Sequence, residues 1–191
     1  MTMADIDLTG RRVLAIVTNY GVEQDELLVP VRHLRAAGAE VDVAAPSLAM
    51  IRTLEGDRDP GVEADPTLTL AEADPETYDL LLVPGGTLNA DSLRLNDTAI
   101  GIVRAFTAAR GPVAAICHGA WAVVEAGVAG GKTMTSYPSL RTDIRNAGGQ
   151  WIDESVVTDD SEGYLLITSR TPQDLPDFLR EVDTALAMAP V

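Results

Sequence analysis

Cys117 is the sole cysteine of the chain, and it stands where two sequence patterns meet. Val113-Ala114-Ala115-Ile116 is a continuous apolar run, as expected of a strand buried on both faces. From His118 to Ala126 the residues read as a helix. A strand that turns at once into a helix sets the residue between them on a tight nucleophile elbow. The unpaired N–H groups of the helix N-terminus favour a thiolate there, and the small Gly119 and Ala120 let the turn pack closely. A lone cysteine is more often an inert buried thiol; the elbow context favours a reactive one.

Two further strand ends carry chemistry. Leu80-Leu81-Leu82-Val83 runs into Pro84-Gly85-Gly86. Glycines there either make an ordinary strand-to-loop turn or expose N–H groups that face a nucleophile as an oxyanion hole. The first strand, around Val13 to Val17, is followed by Tyr20-Gly21-Val22-Glu23. Glu23 sits at a helix start, where the dipole alone accounts for an acid. The alternative is a carboxyl group beside Cys117. Ionised, it would oppose a thiolate; protonated by desolvation, it would donate a hydrogen bond to one. The chain has two histidines. His33 falls within the first helix, roughly two turns or more from the strand end, which leaves His118 as the histidine certain to be near Cys117. A conventional triad takes its base from a separate part of the chain, and no histidine follows residue 118. Any activity must therefore use an unusual base or a thiolate that already exists.

The elements that position these residues alternate. A helix is expected from about Glu23 to Ala37, with Leu27, Leu28, Val31 and Leu34 at helical spacing, and then a strand over Val41 to Ala45. Residues 47–66 read as a loop or a small strand excursion. Asn96 is placed to cap a helix running to Ala109. Lys132 is read as part of a turn at the start of a short strand. Pro138 to Ala147 is expected to be helical, Ser155–Thr158 and Tyr164–Thr168 to form a hairpin, and Thr171-Pro172 to open a final helix. Strand–helix alternation predicts an α/β fold: a mainly parallel sheet with helices on both faces, in one domain spanning 1–191.

Composition narrows the partners. The 191 residues carry 14 basic and 29 acidic side chains, for a net charge of −15. That balance argues against binding nucleic acid or an anionic membrane. One cysteine makes no internal disulfide, which fits a reducing, cytoplasmic setting. Met1 to Gly10 lacks the basic and apolar regions of a signal peptide. One Cys and two His make a structural zinc site improbable. There is no GxGxxG after a strand and no GxxxxGK[ST], so no nucleotide fingerprint and no cofactor is expected.

Leu82-Val83-Pro84-Gly85-Gly86, Ala115-Ile116-Cys117-His118-Gly119, Thr135-Ser136-Tyr137-Pro138-Ser139-Leu140 and Thr168-Ser169-Arg170-Thr171-Pro172-Gln173-Asp174-Leu175-Pro176, in this order, resemble the PfpI branch of the DJ-1/PfpI superfamily. The likeness runs from about Leu8 to Val182. It implies a flavodoxin-like three-layer sandwich related to class I glutamine amidotransferases. It implies Cys117 as nucleophile, Glu23 as the acid that hydrogen-bonds its sulfur, and an oxyanion hole from the N–H groups of Gly86 and His118. It further implies Asp91 as an acid that approaches His118 of a neighbouring subunit, in a homodimer or higher homo-oligomer. Members of the superfamily have been assigned as cysteine peptidases, glyoxalases, deglycases and stress chaperones. The expected function is a metal-independent, cysteine-dependent stress-protection enzyme acting on reactive carbonyls through a hemithioacetal. The alternatives are an intracellular peptidase acting on peptide or protein, and a non-enzymatic redox sensor or chaperone.

Overall fold

In the computed structural model, which describes residues 6–189, the chain alternates between sheet and helix. Residues 1–5, part of the stretch read for a leader, lie outside the described residues. The elements, in order, are β1 (Arg12–Ile16), β2 (Tyr20–Glu23), α1 (Gln24–Ala36), β3 (Glu40–Ala45), β4 (Ile51–Glu55), β5 (Asp59–Ala64), β6 (Leu68–Thr69), β7 (Leu80–Val83), α2 (Thr87–Arg94) and α3 (Asp97–Ala108). They continue with β8 (Val113–Ile116), α4 (Ala120–Glu125), β9 (Thr133–Met134), α5 (Arg141–Asn146), β10 (Gln150–Trp151), β11 (Val156–Asp159), β12 (Leu166–Ser169) and α6 (Leu175–Met188).

The main sheet has the order β11-β12-β8-β7-β1-β3-β6. Its pairings are parallel except for the antiparallel β11–β12 edge. Because strand side chains alternate, each apolar strand feeds two cores. Val13, Ala15, Leu80, Leu82, Ala114 and Ile116 face α1 and α6. Leu14, Ile16, Leu81, Val83, Val113 and Ala115 face α2, α3, α4 and α5. Burial on both faces is why these strands read as unbroken apolar runs. Each fully buried Leu or Ile contributes about 1.5–3 kcal/mol over an exposed one. The result is the expected three-layer α/β sandwich with a mainly parallel sheet.

The winding order reverses at β1, which has β3 on one side and β7 on the other, and this opens a crevice at the carboxyl ends of β1, β7 and β8. Asn96 caps α3 as expected, its side chain accepting from Ala99 N–H at 3.0 Å.

The structure sharpens three local expectations. Tyr20–Glu23 is a strand that pairs with β4, and Glu23 stands at the helix start as expected, as the N-cap of α1, which begins at Gln24. Of the two readings of residues 47–66, the strand excursion holds: they contain β4 and β5, an antiparallel hairpin that completes a separate three-stranded sheet with β2. Lys132 closes a turn onto Ala129 O just before β9, as expected, but its side chain is fully buried, and Nζ donates to the carbonyls of Asp159, Ser161 and Tyr164 and pairs with Asp159. Those acceptors come from the β11–β12 connection, too far along the sequence for a local reading to find.

Candidate functional site

Cys117 follows β8 directly and has φ of +59°, a left-handed conformation that a non-glycine residue adopts only when its surroundings enforce it. A 3-10 turn, Cys117–Gly119, leads on into α4. A methyl group on Gly119 would meet the carbonyls of Val83 and Pro84, so the elbow can pack this closely against β7 only with glycine there. The Cys117 carbonyl accepts from Tyr137 N–H at 3.2 Å, which pins the turn from the other side. The elbow expected from sequence is thus present.

The acid that faces Cys117 is Glu26, not Glu23. Glu26 lies in the first turn of α1, fully buried, on one stripe with Leu27, Pro30, Val31 and Leu34. Its Oε2 accepts from Gly85 N–H at 2.8 Å, and its carboxyl lies within hydrogen-bonding reach of the Cys117 thiol. Oε1 is buried without a partner of ordinary hydrogen-bond geometry. Glu23, one helical turn earlier, points elsewhere because its strand pairs with β4. Its carboxylate accepts from Gly56 N–H at 3.1 Å and Asp57 N–H at 3.2 Å, at the β4–β5 turn. The signal for Glu26 was in the sequence: an acid on the apolar stripe of an amphipathic helix has no other reason to be there.

Burial raises the Glu26 carboxyl well above its ordinary range, against the opposing pull of Cys117 and Gly85 N–H; the Glu23 and Asp57 charges add to the rise. Burial also pushes the Cys117 thiol up, as do the charge and hydrogen bond of Glu26, while the N–H groups of His118 and Gly86 pull it down. Two of the three upward causes exist only while Glu26 is ionised. A carboxyl held neutral by desolvation instead offers its proton to the sulfur once the thiol proton has left for His118, and the amides then favour the charge on sulfur.

His118 is buried, and its Nδ1 lies 3.3 Å from Cys117 Sγ. The ring is stacked on Tyr137, with centroids 4.6 Å apart, and tilted against Trp121. Burial lowers its pKa from the usual histidine value, with Asp57 opposing, so the imidazole is neutral near pH 7 and able to accept a proton. Nε2 faces Thr87 Oγ1 at 3.4 Å and Ser139 Oγ at 3.3 Å. Adjacent residues on the elbow do meet here, because the left-handed Cys117 turns the two side chains toward each other.

Gly86 and His118 present their N–H groups to the sulfur. Gly86 caps α2 with φ of +79°. The Pro84-Gly85 turn is held by buried Asn89, whose amide donates to Gly85 O at 2.9 Å and Pro84 O at 3.3 Å, while its Oδ1 accepts from Thr18 N–H at 2.7 Å. Asp91 is exposed on α2 and does not reach His118 of its own chain. His33 is remote, hydrogen-bonded to Asp183 at 2.9 Å between α1 and α6.

A cavity of about 390 Å³ opens over Cys117, lined among others by Glu23, Asp25, Glu26, Glu55, Asp57 and Tyr137. Among the described residues, no group of three or more His, Cys, Asp or Glu is arranged to hold a metal ion, and no helix is long and apolar enough to cross a membrane.

A parallel α/β sandwich with a cysteine on a strained strand-to-helix elbow, faced by a buried glutamate, defines a narrow class of proteins. The chain matches the DJ-1/PfpI family model over residues 11–185 and belongs to that family. It is 36% identical over 170 residues to deglycase PH1704 of Pyrococcus horikoshii, covering 89% of this chain and 96% of the relative. It is 34% identical to protein/nucleic acid deglycase 2 of Escherichia coli, covering 90% and 95%. It is 33% identical to general stress protein 18 of Bacillus subtilis, again covering 90% and 95%. Among solved structures, Drosophila melanogaster DJ-1beta superposes with a TM-score of 0.82 at 30% identity, over 93% of this chain and 90% of that one.

Proposed function

We propose that the protein is a cysteine-dependent enzyme that removes reactive carbonyls, of the glyoxalase or deglycase kind, with Cys117 as nucleophile. The observation that carries this reading is the cluster around one sulfur: a neutral imidazole at 3.3 Å, a buried carboxyl of raised pKa, and two backbone N–H groups. Deglycase relatives at comparable identity and full length support it.

Cys117 Sγ adds to the aldehyde carbon of a dicarbonyl such as methylglyoxal, and the thiol proton passes to His118 Nδ1. The carbonyl π electrons move to oxygen, where the N–H groups of Gly86 and His118 receive the charge. Protonation gives the hemithioacetal. His118, neutral again, then takes the hydrogen from the former aldehyde carbon and delivers it to the neighbouring carbonyl carbon, while the hydroxyl proton of the hemithioacetal moves to the neighbouring oxygen, leaving a thioester. Water hydrolyses the thioester to a 2-hydroxy acid and frees the thiol, so the net change is addition of one water. Glu26 takes the place given to Glu23 by the family resemblance. A cavity of about 390 Å³ suits a small molecule or a single modified side chain better than an extended peptide.

Purified protein mixed with methylglyoxal should consume the dicarbonyl and form lactate, and Cys117→Ala should abolish both. Casein cleavage without carbonyl turnover would replace this reading with the peptidase one. A mass gain at Cys117 only after peroxide, with neither activity, would replace it with the sensor one.

A further inference from the structure

The mechanism uses one face of His118. The opposite edge leads, by hydroxyl and carboxylate, through Thr87 to Asp57 in the β4–β5 turn. We propose that Asp57 and Thr87 are positioning residues that lock His118 in the Nε2–H tautomer, so that Nδ1 presents its lone pair to Cys117, within a single chain.

The argument is one of counting donors. Thr87 Oγ1 lies 2.6 Å from Asp57 Oδ2, and Asp57 Oδ1 accepts from Thr87 N–H at 2.7 Å. A carboxylate only accepts, so the single hydroxyl proton of Thr87 is committed to Asp57. The hydroxyl oxygen then has only lone pairs left for His118 Nε2 at 3.4 Å, and the imidazole nitrogen must be the donor. That leaves Nδ1 unprotonated, 3.3 Å from Cys117 Sγ, in the state needed to take the thiol proton. Ser139 Oγ, 3.3 Å from Nε2, is a second acceptor in this arrangement. In the opposite tautomer it would have to donate, and Thr87 would have nothing to offer.

Asp57 is held in turn. Its backbone has φ of +58°, and its N–H and that of Gly56 are both bound by the Glu23 carboxylate. Glu23 thus serves the site from a distance, through the turn that carries Asp57. A helix cap for α2 is the plain structural role of Asp57, but a cap needs only the Thr87 N–H; the hydroxyl contact is what connects to His118.

This proposal rests on the reading of Cys117 and His118 as nucleophile and base, and its test is chosen to stand apart from turnover. The chain has only two histidines, so a His33→Gln background leaves His118 alone in an imidazole ¹⁵N spectrum, which distinguishes Nδ1–H from Nε2–H. The titratable groups around the ring are Cys117 itself, Tyr137 stacked on it, Asp57 beyond Thr87, and Glu26 across the sulfur. In the parent the spectrum should show Nε2–H. Thr87→Val should mix the tautomers and slow alkylation of Cys117 by iodoacetamide about tenfold, and Thr87→Ser should restore both. Asp57→Asn removes a charge that favours the imidazolium, so the His118 titration midpoint should move to lower pH. A helix cap alone would change the unfolding midpoint and leave tautomer and titration where they were. An Nδ1–H parent, or a Thr87→Val variant that keeps the Nε2–H tautomer, overturns the proposal. Retained methylglyoxal turnover in Cys117→Ala would instead sink the functional reading, while the tautomer measurement stands by itself.

Discussion

Two carboxylates one helical turn apart, Glu23 and Glu26, have opposite environments and should behave oppositely. Glu26 is fully buried, and that burial raises its pKa. Between its unfolded value near 4.5 and its raised folded value, the native state holds a proton that the unfolded state has released. Stability must therefore fall as pH rises through that window. Glu26→Gln removes the titration, so its urea midpoint should decline less than that of the parent between pH 5 and pH 8. The same substitution removes a proton carrier, and turnover should drop by about 10² to 10⁴. Glu23→Gln keeps an acceptor at the β4–β5 turn and should cost only a few-fold in rate. A Glu23→Gln loss matching that of Glu26→Gln, in parallel kcat and KM measurements, would contradict the assignment of the two acids.

At the scale of elements, the site is where three strand ends close on one another, and glycine sets the clearance. A methyl group on Gly85 would sit 2.6 Å from Glu26 Oε2, 2.7 Å from His118 N and 2.9 Å from Cys117 Cβ. Two of these three are held by backbone, so Gly85→Ala should destabilise the fold by about 1–3 kcal/mol in urea unfolding and erase Cys117 reactivity. Unchanged iodoacetamide kinetics in a folded Gly85→Ala protein would show that the cluster is looser than these distances say. Much of this layer was legible in the sequence. The apolar runs of β1, β7 and β8 announce a sheet buried on both faces, and Val113–Ile116 followed by Cys117 announces the elbow. What was not legible depends on pairing at a distance. Tyr20–Glu23 becomes a strand only because β4 lies beside it, and that pairing turns Glu23 outward. Asp57 becomes relevant only because the β4–β5 hairpin folds back onto the start of α2. Glu26 was legible as an acid on the stripe of Leu27, Val31 and Leu34, whereas Glu23 stands at the helix start, where an acid is also favoured.

The charge of the whole molecule converges on the cavity. Of the side chains lining the opening over Cys117, Glu23, Asp25, Glu26, Glu55 and Asp57 are acids, and no lysine or arginine is among them. Glu26 is neutral by burial, but the others add to the field of a chain with net charge −15. A nucleophile that becomes a thiolate in this field must be favoured locally, by the amides of Gly86 and His118 and by the proton on Glu26. A substrate arriving from water meets the same field, which repels an anionic carbonyl and leaves a neutral one unaffected. Methylglyoxal and glyoxylate present nearly the same aldehyde and differ by a carboxylate. At low salt, kcat/KM for glyoxylate should lie at least about tenfold below that for methylglyoxal, and it should rise as added NaCl shortens the screening length to about 10 Å at 0.1 M. The value for methylglyoxal should stay flat over the same range. Equal efficiency for the two at low ionic strength would mean that the acids at the mouth do not act on the substrate, and selection would then have to lie in contacts made deeper, at Tyr137 and the elbow itself.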